Sequence, residues 1–297
     1  MTTFRVRHHT TYSYDRPVEF GAHRLMMRPR DGHDLRLLES NLTISPPADI
    51  RWEFDTFGNS VAVLSFPHAA QRLAVRSDLT VRRYGHDDPT DRLIRHTGPY
   101  PFEYDPEEVT DLAPLTALLF PGDRKALGVW LARGISAVPG ETMALLDALM
   151  QAIHLGFSYS RRETAGVQSP AETIRLGSGT CRDFAVLFME AARHLGFAAR
   201  FVTGYLFDPV TVANGVGRAD GAAVQGGGAT HAWADVFVRG AGWVEFDPTN
   251  RIIAGRNLIR IATTRSPSQA LPLSGTFNRG DASFLGMDVQ VDVALVT

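Results

Sequence analysis

Two hydrophobic periods divide the chain. From Phe4 to Tyr84 the side chains alternate: Phe4, Val6 and His8 are interleaved with Arg5 and Arg7, and further runs cover Leu35 to Ile44, Ile50 to Phe66 and Leu73 to Tyr84. A period of two belongs to half-buried strands, and no 3.6-residue pattern survives here. Phe57-Gly58-Asn59 breaks the third run as a hairpin would, and Asp31-Gly32, Pro46-Pro47 and Pro67 separate the others. Residues 1–85 therefore read as a small antiparallel β domain of sandwich type.

Gly85 to Pro106, with HDDP, HTGPYPFEYDP and four prolines, reads as an extended connection. Helical patterns follow. One is expected over Asp111 to Phe120 and one from Arg124 to about Ile135, capped by Asp123. Another, with a broad apolar face, covers Glu141 to about Leu155. Ser169-Pro170-Ala171-Glu172 has the N-cap, N1 proline and capping-box spacing of a short helix ending near Leu176. Gly177-Ser178-Gly179 turns the chain into a helix from Cys181 to about Leu195, closed by Gly196. Period two then returns in Thr230 to Val238 and Trp243 to Asp247, joined through Arg239-Gly240-Ala241-Gly242. After Ile252 to Ile261 it returns again near the C-terminus, where Met287, Val289, Val291 and Val293 alternate with Asp288, Gln290 and Asp292. This last strand suits a sheet edge, in either the core or the N-terminal sheet. The class is α+β, with a β domain over 1–85, a connector and lead-in helices over 86–140, a core over 141–250 and a C-terminal β extension over 251–297.

Composition narrows the function classes. The 297 residues are 44% hydrophobic and 21% charged, with a net charge of −2, which argues against a nucleic-acid partner. The longest apolar stretches, such as Phe184 to Met189, are too short for a membrane span, and the N-terminus lacks the apolar segment of a secretory leader. A single cysteine excludes an internal disulfide and a cysteine-rich metal site. The expectation is a cytoplasmic enzyme with a free thiol. The histidines between His8 and His33 read as turn and strand-surface residues. The His8-His9 pair has no third ligand in sight, and no acidic cluster has calcium-binding spacing, so neither a metal nor a cofactor is expected.

The lone thiol, Cys181, sits in the first turn of its helix. There the unpaired backbone N–H groups and the helix dipole favour an anion. A thiolate gains from both, and the Cys181 N–H can serve an oxyanion hole. The same residues also fit a glycine turn followed by a small buried cysteine. A thiolate enzyme needs a histidine within reach. His194 lies roughly 20 Å along the same helix, and His154 has no acidic partner in an obvious register. His231 is left. Asp235 is about 13 Å away along the same strand, too far to orient His231. Asp247 can do so if the hairpin register is even. Pairing Trp233 with Asp247 makes His231 the diagonal neighbour, which requires a three-residue loop or a bulge around Gly240. An ordinary amphipathic hairpin with a surface histidine is the alternative.

Together, GSGTCRDFAVLFMEAARHLGFAARFVTGY, THAWADVF and GWVEFDPTN resemble the transglutaminase-like superfamily. The resemblance implies a papain-like core of helices packed on an antiparallel sheet. Cys181 falls on the nucleophile, His231 on the base and Asp247 on the orienting carboxylate. The preceding β region looks like that of the bacterial group with a dedicated N-terminal domain. Arg182 stands where glutamine is more usual, and the segment after DPTN lacks a Gly-Arg-Asp-Tyr stretch found in many relatives. The implied activity is a cysteine peptidase or amidase working through a thioester on a protein or peptide substrate. A protein-glutamine transamidase and a non-catalytic protein-binding relative are the alternatives. Tyr159, Gln168 and Trp233 are further candidates for contact with the oxyanion or substrate. The glycine-rich VANGVGRADGAAVQGGGA, directly before His231, has the composition of a lid.

Overall fold

The computed structural model describes residues 1–84, 97–135, 139–160, 162, 166–208, 229–278 and 280–296. The glycine-rich stretch lies almost wholly outside them.

The long strand β1 (Thr2–Arg28) organises the N-terminal domain. Its first half pairs with β5 (Ala70–Arg83) and β14 (Phe284–Leu295). Its second half pairs with β4 (Ser60–Ser65) and β13 (Leu273–Asn278). The ladder to β5 shifts between Ser13 and Val18, the interval that contains Pro17, which has no N–H to donate. β2 (Leu35–Ser45) and β3 (Asp49–Phe54) close the order β2-β5-β1-β4-β3. The expected sandwich is thus one curled antiparallel sheet. Its halves share β1 and enclose Tyr14, Val18, Leu25, Leu64, Leu73 and Val75.

The first helix, α1 (Pro106–Thr116), starts five residues before the expected position. Asp105 and Glu108 form a capping box around a proline at the first turn, a signal that the proline-rich surroundings obscured. α2 (Arg124–Gly134), α3 (Thr142–Gly156), α4 (Pro170–Leu176) and α5 (Cys181–His194) follow the predicted pattern, except that Asp123 does not cap α2: its carboxylate accepts from the Ala171 N–H at the start of α4 instead. Two short strands not anticipated, β6 (Ser158–Tyr159) and β7 (Ser178–Gly179), run parallel and brace the loop before Cys181.

The core sheet has the order β11-β10-β9-β8-β12. It comprises β8 (Ala198–Leu206), β9 (His231–Val238), β10 (Gly242–Asp247), β11 (Ile252–Ile253) and β12 (Leu258–Thr264). α5 lies on β8 and β9, burying Ala185, Phe188 and Ala192 against Phe201, Ala234 and Phe246. Arg193, fully buried with Glu190, donates to the carbonyls of Ala199 and Arg265 and so ties α5 to its sheet. The C-terminal extension divides: β12 completes the core sheet, whereas β13 and β14 join β1.

The two domains share a core of Phe4, Val6, Leu79, Tyr205, Phe207 and Ile259. His8, expected on a strand surface, is instead buried there. It bonds Tyr205 Oη at 2.8 Å and Thr10 Oγ1 at 2.9 Å, and burial, then the charge of His9, push its pKa down to about 4. Among the described residues no helix is long and apolar enough to cross a membrane.

Candidate active site

Cys181 is the first residue of α5, and its position is set by a reciprocal cap. Asp183 N–H donates to Thr180 Oγ1, and Asp183 Oδ2 accepts from the Thr180 N–H at 2.9 Å and from its hydroxyl at 2.8 Å. The other oxygen of Asp183 accepts from Gln168 N–H at 2.7 Å and from Arg162 at 2.9 Å. One buried carboxylate therefore joins the helix start to the segment that carries Gln168. Thr173 Oγ1 holds Gln168 Oε1 at 2.9 Å, and that oxygen lies close over Gly179, where a Cβ would stand 3.3 Å from it. The nucleophile loop, Gln168 and the α5 N-terminus form one packed unit.

The hairpin of β9 and β10 has the even register. Trp243 pairs with Phe237, Glu245 with Asp235 and Phe246 with Ala234, across the three-residue loop Arg239-Gly240-Ala241. Gly240 takes φ +85°, which a Cβ would strain. In this register Asp247 lies diagonally opposite His231, and His231 Nε2–H donates to Asp247 Oδ2 over 2.8 Å. The carboxylate can only accept, which assigns the proton to Nε2. Asn250 Nδ2 donates to the same oxygen at 2.9 Å, and the N–H groups of Thr249 and Asn250 donate to Asp247 Oδ1. Burial works to raise the Asp247 pKa, but the charge of His231 and these hydrogen bonds carry it below its ordinary value.

The other ring nitrogen of His231, Nδ1, is buried and meets no hydrogen-bond partner of regular geometry among the described residues. The thiol is near enough that its charge and a hydrogen bond with it act on the ring. Burial works to lower the imidazole pKa. The charge of Asp247, the charge of Cys181 and hydrogen bonds to both outweigh it and raise the pKa to about 10. The three side chains form a chain of contacts, Asp247 to His231 to Cys181, and Cys181 itself is only 6% exposed.

The rejected histidines are occupied elsewhere: His154 Nδ1 bonds the Thr249 carbonyl at 2.9 Å, and His194 packs near Gly128 on α2. Asp235 pairs with Arg200 at 2.9 Å. Trp233 is not a substrate contact. It is 0% exposed, clustered with Val202, Leu206 and Leu258, and its ring lies 6.1 Å from that of His231. It shares the His231 face of β9 and acts as a wall beside the imidazole, covered by Val202 and Leu206 of β8 and Leu258 of β12. Gly204 makes room for it: a Cβ there would collide with the Ile259 carbonyl and stand 2.7 Å from the indole. Tyr159 packs edge-on against Phe184, with ring centroids 6.5 Å apart. Sequence reasoning did not assign roles to Asn250, Asp183 or Arg162. The DPTN motif and the Thr180/Asp183 spacing are the signals that would have found the first two.

Residues 4–82 match the bacterial transglutaminase-like N-terminal region, and residues 130–248 match the transglutaminase-like superfamily. The chain is similar to an uncharacterized protein of Mycobacterium tuberculosis H37Rv, 28% identical over 301 residues that cover 98% of this chain and 92% of the relative. A protein of Mycobacterium leprae is 30% identical over 132 residues, 43% of each chain. The fold is similar to that of a candidate cysteine protease from Cytophaga hutchinsonii, with a TM-score of 0.72 at 22% identity over 100% of this chain and 91% of the other. The chain belongs to the transglutaminase-like superfamily, in the form that carries the bacterial transglutaminase-like N-terminal region.

Proposed function

We propose that the protein is a thiol-dependent acyl-transfer enzyme that hydrolyses amide or peptide bonds, with Cys181 as nucleophile, His231 as acid and base and Asp247 as the orienting carboxylate. The observation that carries this reading is the placement of His231, fully buried, with Asp247 on Nε2 and Cys181 near enough for its charge to act on the ring. A structural histidine would find a neutral partner on Nδ1 rather than a lone thiol.

In the first step the Cys181 thiolate attacks the carbonyl carbon, and the carbonyl oxygen becomes an oxyanion. The Cys181 N–H, unpaired at the start of α5, is one donor to it. We assign the second donor to Gln168: Thr173 donates to its Oε1, which leaves Nε2 as the donating atom. The imidazolium gives its Nδ1 proton to the departing amine, the C–N bond breaks and a thioester remains. Water then attacks the thioester carbonyl and gives its proton to His231 Nδ1. Collapse of the second tetrahedral species breaks the C–S bond, releases the acid and restores the thiolate–imidazolium pair. Throughout, Asp247 keeps Nε2 protonated and neutralises the imidazolium.

Trapping separates hydrolysis from transamidation. Casein or a glutamine-containing peptide should acylate Cys181, and the thioester should turn over in water without added amine. Turnover only when a labelled amine is supplied would replace this reading with a transferase. No adduct at Cys181 with any peptide would leave a binding protein.

A further inference from the structure

Asp183 follows the nucleophile by two residues, is fully buried and has both oxygens occupied. Oδ2 accepts from the N–H and the hydroxyl of Thr180, and these bonds belong to the helix cap. Oδ1 accepts from the Gln168 N–H at 2.7 Å, fifteen residues back along the chain, and from Arg162 at 2.9 Å. This second pair adds nothing to the helix. It fixes the Gln168 backbone against the residue before Cys181. A carboxylate near a thiolate disfavours it by repulsion, so forming the thiolate is not what Asp183 serves.

Gln168 carries a free donor. It is only 6% exposed, with its N–H held by Asp183 and its Oε1 held by Thr173. Among the described residues its Nε2 meets no acceptor. A side-chain amide buried to this extent ordinarily has both ends paired, so the free end marks the place of an acceptor that arrives from outside. Gly179 allows the approach. A Cβ there would stand 2.9 Å from that of Asp183 and 3.3 Å from Gln168 Oε1. Carboxylate and amide therefore both close over the residue two positions before Cys181.

We propose that Asp183 is a positioning residue that sets the separation of the two oxyanion donors, the Cys181 N–H and Gln168 Nε2, by holding the backbone that carries each of them. The proposal rests on the Gln168 assignment in the mechanism above. An oxyanion hole acts because its donors are in place before charge develops, and a misplacement of about 1 Å costs about 10²-fold in rate. Asp183 touches neither substrate nor the reacting atoms and works through Gln168.

Two reagents applied to the full chain separate this role from formation of the thiolate. With 4-nitrophenyl acetate the Cys181 thiolate attacks the carbonyl carbon and the C=O electron pair moves to oxygen. Collapse breaks the ester C–O bond and leaves a thioester and nitrophenolate. With iodoacetamide the same thiolate displaces iodide from a saturated carbon, and no oxyanion forms. Q168A should slow acylation about 10²-fold. D183N should slow it at least about tenfold, because the amide can present an acceptor to Thr180 or to Gln168 but not to both. Both variants should alkylate within about twofold of wild type at pH 6. On the Q168A background D183N should cost less than about threefold more, since no second donor is left to place. Where D183N does not stay folded, G179A displaces Gln168 from the other side and should slow acylation about tenfold with alkylation unchanged. Equal losses of acylation and alkylation would reduce Asp183 to a helix cap and overturn the proposal, as would additive losses in the double variant. Unchanged acylation in Q168A overturns the Gln168 assignment and the proposal with it. Failure of the peptidase reading looks different: wild-type Cys181 would then react with neither reagent faster than a model thiol.

Discussion

His231 and Asp247, sixteen residues apart, meet through one hydrogen bond of 2.8 Å that depends on the register of a single hairpin. Asp247 accepts three further hydrogen bonds, one from Asn250 Nδ2 and two from backbone N–H groups. D247N keeps the shape but replaces an acceptor beside Nε2 with an amide. Turnover of an acylating peptide should fall by roughly 10³–10⁴. N250A removes only a supporting donor, and the loss should be nearer tenfold, with stability reduced by about 1 kcal/mol in urea unfolding. Equal losses in the two variants would show that Asn250 does more than orient the carboxylate.

The pH dependence of stability follows from the same pair. The folded-state pKa of His231 is raised from 6.5 to about 10, so its contribution is complete below the unfolded value and lost as pH rises through about 10. The Asp247 pKa is lowered, so its contribution is present above its unfolded value of about 3.9 and lost as pH falls through the folded one. The difference in urea midpoint between wild type and H231Q should therefore be steady from about pH 5 to 6.5 and shrink from about pH 7 to 10. A pH-independent difference would mean that His231 is neutral in the folded protein. In the same range, iodoacetamide should alkylate Cys181 at pH 6 faster than a model thiol, and H231A should abolish the excess.

Gly204 is under the tightest steric constraint in the site. G204A places a methyl group against the Ile259 backbone and the Trp233 indole, and a backbone carbonyl in a paired strand cannot retreat. Overpacking of this kind costs about 1–3 kcal/mol. Because Trp233 stands beside the His231 ring, activity should fall further than the stability loss explains. Thermal unfolding and peptide turnover on the same sample check this.

Arg83 and Glu245, 162 residues apart, join the two domains at 3.0 Å. Arg260 donates to the other oxygen of Glu245 at 3.1 Å, and Asp34 pairs with both arginines. Burial raises the Glu245 pKa against the pull of Arg83 and Arg260. E245A leaves the buried Arg83 and the part-buried Arg260 with Asp34 as their shared carboxylate and should cost about 1.5–3 kcal/mol, whereas the R83M/E245L pair should recover most of that. A double-mutant cycle by urea denaturation measures the coupling, and additive losses would show that the network is not a unit.

The helix starts and the alternating strands were legible because each depends on residues close in sequence. Ser169 and Gly240 act within a few positions of themselves. The even register of β9 and β10 was the condition that pairing His231 with Asp247 imposed, and the three-residue loop meets it. The first helix was misplaced by five residues because the prolines around it outweighed the Asp105 cap in a local reading.

Tertiary structure decided the rest. The tail alternates as an edge strand should, but only folding divides it between two sheets. Trp233 reads equally well as a cleft residue or a core residue, and the closeness of β8 at Gly204 places it in the core. His8 with Tyr205 and Arg83 with Glu245 are partners with no period to reveal them, since burial pairs whatever polar groups two distant surfaces bring together.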